Sequence, residues 1–151
     1  MARGHVAWPR RLPPAVQTFT VAPQRVYDAI LDPAMIARFM FGPLLREEEI
    51  LHIYTAPNIG GAFSCKVRRG ESGIDHIGAY LELDPPSRIV FTWSIAGHGD
   101  NDPSVVTIDI TRTAEACSLR LIHEMDEKWA DFVDRSRAGW EKMLGVLATL
   151  L

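Results

Sequence analysis

His123 is the titratable side chain whose setting could support chemistry. It alternates with Leu119 and Leu121, so in a strand it shares their inward face. A neutral imidazole among apolar groups can donate or accept a hydrogen bond at a ligand, or move a proton. The same setting also suits a core histidine satisfied by a carbonyl or a neighbouring side chain. Tyr80 and Ser136 could anchor a ligand nearby. Phe39, Met40, Phe63, Phe91, Trp93, Trp129, Phe132 and Val133 supply apolar groups at inward positions. They form either the wall of an apolar pocket with few polar anchors or a plain core.

Other constellations are missing. His5, His52, His76 and His98 sit on separate segments without the paired spacing of a zinc site. Neither a Ser-His-Asp order nor a glycine-rich phosphate loop between strand and helix is present. No metal or cofactor is therefore expected. Asp75-His76 and His98-Gly99-Asp100 read as solvated turns, and Glu47-Glu48-Glu49 as a solvated face. Glu82 and Glu124 should face water rather than form an acid/base pair.

The elements that must position these residues follow from periodicity. Ala15–Val21 reads as a strand. Pro23 can open a helix, its missing N–H costing nothing there, and Val26, Tyr27, Ile30 and Leu31 give it a stripe. Asp32-Pro33 is an N-cap and first-turn pair for a second short helix bearing Met35, Ile36, Phe39 and Met40, ended by Gly42-Pro43. Strands are expected at Ile50–Tyr54 and at Ala62–Arg69, where Phe63, Cys65 and Val67 alternate with Ser64, Lys66 and Arg68. Further alternation runs through Ile77, Ala79, Leu81 and Leu83, then Ile89, Phe91 and Trp93. It resumes at Val106, Ile108 and Ile110, and at Leu119, Leu121, His123 and Met125. From about Glu127 to Leu151 the spacing of Trp129, Phe132, Val133, Trp140, Met143, Leu144, Leu147 and Leu151 predicts one long helix, about 36 Å from end to end. Glycines 78 and 139 would permit close helix–sheet approach, with Trp140 structural beside Gly139.

The order is a strand, two short helices, about six strands and a long helix. It implies an α+β domain over residues 15–151, a curved antiparallel sheet of about seven strands holding the C-terminal helix. Residues 1–14 read as an irregular arm. The chain has 151 residues, a net charge of −3 and an apolar share of 47%, which gives no general argument for nucleic-acid or anionic-membrane partners. Cys65 and Cys117 are read as buried free thiols of a reducing cytoplasm. No apolar run reaches the about 20 residues of a membrane span.

Several stretches together carry a resemblance. They are Val26–Ile30 with Asp32-Pro33, Gly60-Gly61-Ala62-Phe63, Gly78–Pro86, Arg88–Trp93, Leu119–His123, and Gly139-Trp140 with Leu144 and Leu147. Their order resembles proteins similar to the activator of the ninety-kilodalton heat-shock protein's ATPase, within the START-like (SRPBCC) superfamily. The resemblance implies the helix-grip fold, an inner cavity for a small apolar or amphipathic molecule, and room for a homodimer. Where many members carry a His-Glu or similar polar pair before the Gly-Trp, this chain has Arg137 and Ala138, so no role of that pair carries over. Three functions stand open: binding of a small hydrophobic molecule, a chaperone-interacting module, and proton transfer by His123, with Tyr80, on a hydrophobic carbonyl compound. A structure with no cavity above about 100 Å³ would count heavily against the first, since usual pockets span about 300–1,000 Å³.

Overall fold

The computed structural model describes residues 12–97 and 103–151. The expected arm at 1–14 falls outside it up to residue 11, as do His5 and His98. Seven strands form one antiparallel sheet: β1 (Ala15–Phe19), β2 (Glu49–Thr55), β3 (Ala62–Arg69), β4 (Ser72–Asp84), β5 (Arg88–Ile95), β6 (Ser104–Arg112) and β7 (Cys117–Glu124). Their order is β1-β7-β6-β5-β4-β3-β2. Strands β2 to β7 are a meander of hairpins. Strand β1 pairs with β7 at the opposite edge from β2, Ala15 opposite Leu121 and Phe19 opposite Cys117. The connection from β1 to β2 therefore crosses the sheet, and it does so as two helices, α1 (Pro23–Leu31) and α2 (Pro33–Phe39).

Local chemistry accounts for that connection. Pro23 occupies the first turn of α1, whose Val26, Tyr27, Ala29 and Ile30 are buried. Asp32 caps α2, its Oδ1 accepting the Ala34 N–H at 2.9 Å, a cap worth about 0.5–2 kcal/mol. Met40 ends α2, and Gly42 follows with φ of 95°, a backbone region that favours glycine.

Alternation places Phe63, Cys65 and Val67, Ile89 and Phe91, Val106, Ile108 and Ile110, and Leu119 and Leu121 in one core. Strand β4 departs from the expected phase. A bulge between Tyr80 and Glu82 inserts Leu81 as an unpaired extra residue, and Leu81 is exposed. The residues turned inward before the bulge are His76 and Tyr80, both buried. Between them, Gly78 allows the closest approach in the sheet: a Cβ there would lie 1.9 Å from Thr92 O and 2.5 Å from Phe63 Cζ.

The C-terminal element is shorter than expected. Glu127–Phe132 is a 3-10 segment in which Trp129 is non-helical (φ −101°, ψ 16°), and regular helix α3 spans Val133–Leu150. At 1.5 Å per residue it is about 27 Å long. Trp140, Leu144 and Leu147 form its buried face. It packs along β1, β7 and α2. Gly139 plays no part in that approach, since a Cβ there would meet nothing within 4 Å.

Candidate functional site

The sheet's concave face, α1–α2 and α3 leave one apolar pocket between them. The first short helix contributes Ile30, and α2 with its C-cap contributes Ile36, Phe39 and Met40; strands supply Phe63, Cys65, Tyr80, Phe91 and Trp93; α3 supplies Trp140 and Leu144. Thr55, Ile108 and Leu121 complete the lining, which holds no charged side chain. The rings interlock: Phe63 lies 5.6 Å from Tyr80, 5.5 Å from Phe91 and 5.9 Å from Trp93, and Trp93 lies 5.6 Å from Trp140. Gaps among these side chains, counted out to the solvent side, total about 490 Å³, yet the cavity volume is only about 30 Å³. That is room for about two waters. A space above about 100 Å³ is absent from this closed arrangement, whose lining side chains pack against one another.

Six residues of the expected constellation line the pocket: Phe39, Met40, Phe63, Tyr80, Phe91 and Trp93. Trp129 and Phe132 do not. Their rings stack on each other at 5.5 Å and remain 45% and 41% exposed. The irregular turn at Trp129 breaks the 3.6-residue phase on which an inward position depended. Lys128 and Arg135 lie over those two rings, at 6.0 and 5.3 Å. Val133, at the first turn of α3, also stays off the pocket wall.

His123 and Ser136 are brought together, but behind the wall. Trp140 Nε1–H donates to His123 Nδ1 at 3.0 Å. An indole nitrogen only donates, so Nδ1 must carry the lone pair. Ser136 Oγ, 2.9 Å from Nδ1, donates to it as well. The proton therefore resides on Nε2, 2.6 Å from Ser104 Oγ, and Ser104 Oγ donates onward to Trp93 O at 2.9 Å. Burial pushes the His123 pKa down to about 4. The imidazole is a neutral, fully engaged strut between α3 and the β5–β6 pair.

Two features contradict the expected solvated turns and faces. His76 is buried, its Nδ1 3.0 Å from Cys65 O and its ring 4.8 Å from Phe41. Burial lowers its pKa. Counting back in steps of two from Tyr80 would have placed it inside. The Glu48 side chain is 0% exposed. Its Oε2 accepts from Gly42 N–H at 2.8 Å and Arg46 Nη1 at 3.1 Å, and Oε1 accepts from Arg69 Nε at 2.7 Å. This carboxylate clamps the segment following α2 to β3. Nothing local distinguishes it from Glu47 and Glu49, because Arg69 arrives from another strand.

The same architecture recurs in solved structures. CV1439 from Chromobacterium violaceum is similar, with a TM-score of 0.75 and 25% identity over 91% of this chain and 94% of that one. A Rhodobacter sphaeroides protein is similar at TM-score 0.75 and 16% identity, covering 89% and 88%. DynU16, a protein of the dynemicin biosynthetic locus, is similar at TM-score 0.69 and 24% identity over 90% of this chain and 45% of its own length. No match was found among proteins with curated descriptions. Residues 20–151 match the family model described as Activator of Hsp90 ATPase homolog 1-like protein, and the chain belongs to that family.

Proposed function

We propose that this chain binds a small apolar molecule in the pocket between the sheet, α2 and α3. The lining carries the reading: fourteen residues from both helical layers and the sheet converge on one gap and contribute no charge. Such a surface rewards an apolar occupant at about 25 cal/mol for each Å² it removes from water. The cavity of about 30 Å³ makes the unliganded form a closed one. Binding then requires Phe39 and Met40, on α2 and its cap, to swing outward. Thermal shift and native mass spectrometry against aromatic metabolites and fatty acids test this. A binder at 100 times its Kd adds about 2.7 kcal/mol, or about 5–10 °C in Tm for a chain of this size, with a one-to-one adduct. Absence of any adduct and any shift across that panel would remove the proposal.

The exposed Trp129–Phe132 pair favours a second reading, a protein-binding module in the manner of a co-chaperone. Exposed aromatic anchors are frequent at protein interfaces. Retention by an immobilised chaperone middle domain, lost in Trp129→Ala/Phe132→Ala, is the expected result under this reading. Equal retention of both proteins would count against it. Proton transfer by His123 draws no support, because both ring nitrogens are engaged away from the pocket.

A further inference from the structure

One buried residue of the pocket wall carries a hydroxyl with no hydrogen-bond partner among the described residues. Tyr80 is 4% exposed and lines the pocket, yet among the described residues its Oη has no hydrogen-bond partner. The other polar groups there are committed: Thr55 Oγ1 donates to Leu31 O at 3.2 Å, and Trp140 Nε1 to His123 Nδ1 at 3.0 Å. Trp93 Nε1 is also without a partner, but Trp93 is only half-buried. That leaves the Tyr80 hydroxyl as a donor free to pair with an acceptor that arrives with the ligand. Burial also raises the phenol's pKa, which keeps its proton available for donation. No lysine or arginine lines the pocket to neutralise an anion, and no carboxylate to receive a cation. We propose that Tyr80 donates a hydrogen bond to the carbonyl oxygen of an uncharged, otherwise apolar ligand, and so selects ketones, aldehydes or esters over hydrocarbons and carboxylates. This rests on the ligand-binding reading above.

Three matched probes separate the two ideas: acetophenone, ethylbenzene and benzoate, titrated into wild-type protein, Tyr80→Phe and Trp93→Phe by NMR. One net hydrogen bond corresponds to about tenfold in affinity. Acetophenone should bind wild type and Trp93→Phe about tenfold tighter than ethylbenzene, and benzoate weakest. In Tyr80→Phe the preference for acetophenone should vanish while ethylbenzene affinity stays unchanged. Tyr80→Phe deletes only an unbonded oxygen, so its unfolding midpoint should match wild type. A second measurement needs no variant: the carbonyl stretch of carbon-13-labelled acetophenone bound to wild type should fall below its frequency in hexane. Equal binding of acetophenone and ethylbenzene, a preference that survives Tyr80→Phe, or an unshifted carbonyl band overturns the role of Tyr80 while leaving the pocket intact. Failure of all three probes to bind would sink the pocket reading and this inference with it.

Discussion

Glu48→Ala should destabilise the protein by about 2–4 kcal/mol. The figure follows from what the carboxylate holds. Truncation strands the Gly42 N–H in a buried position, at about 1–3 kcal/mol. It also removes charge-assisted bonds to Arg46 and Arg69, whose side chains are 31% and 36% exposed. Those guanidinium groups can turn to water, so each loss contributes about 1 kcal/mol or less, and the total reaches no further than the middle of the about 3–5 kcal/mol range of a fully buried pair. Glu48→Gln keeps an oxygen for Gly42 and loses the charge, so it should cost about half as much. Burial alone would raise the Glu48 pKa, but the Gly42 N–H, Arg69 and Arg46 outweigh it and hold it below 4.5. The folded pKa is thus lower than the unfolded one. The stabilisation is complete above the unfolded value and fades as pH falls through the folded one. Urea unfolding at pH 7 and at stepwise lower pH measures this, and the gap between wild type and Glu48→Gln should shrink below pH 4.5. Hydrogen exchange at residues 39–41 should quicken in Glu48→Ala, because the clamp fixes the segment following α2. An alanine variant within about 0.5 kcal/mol of wild type, the range of ordinary surface substitutions, would refute the clamp. So would a wild-type-to-glutamine gap that is flat with pH.

Gly78→Ala should cost more than about 3 kcal/mol or prevent folding, since its Cβ would fall 1.9 Å from the Thr92 carbonyl oxygen; urea unfolding or the yield of folded protein reports it. His123 should titrate near pH 4 by NMR and show the Nε2–H tautomer at pH 7. Its folded pKa lies below the unfolded 6.5, so its contribution, on the order of 3 kcal/mol, is full above pH 6.5 and is lost as pH falls toward 4. Trp129→Ala and Phe132→Ala should each shift stability by less than about 1 kcal/mol, whereas Trp140→Phe, which unpairs His123 Nδ1 from its indole donor, should cost about 1–2 kcal/mol; thermal unfolding of the three ranks them. Cys65, buried and pushed up to about 12 by that burial, should resist a thiol reagent in the native state and react on unfolding.

The sequence by itself determined the element order, the antiparallel meander, the Asp32 cap and the apolar content of the inner face. Each depends on spacing within one segment or on the fixed backbone preferences of proline and glycine. Phe63, Phe91 and Phe39 were legible as inward for that reason. Tertiary structure decided the rest. An inserted Leu81 shifts β4 by one residue and turns Leu81 to solvent, and the irregular turn at Trp129 takes two rings out of the expected wall. Periodicity cannot register a phase slip that strand pairing and packing impose. Glu48 goes inside because Gly42, Arg46 and Arg69 converge on it, and His123 becomes a strut because Trp140, Ser136 and Ser104 surround it. A buried charge or imidazole is stable only with its partners in place, and most of those partners lie on other elements, meeting only once the chain has folded.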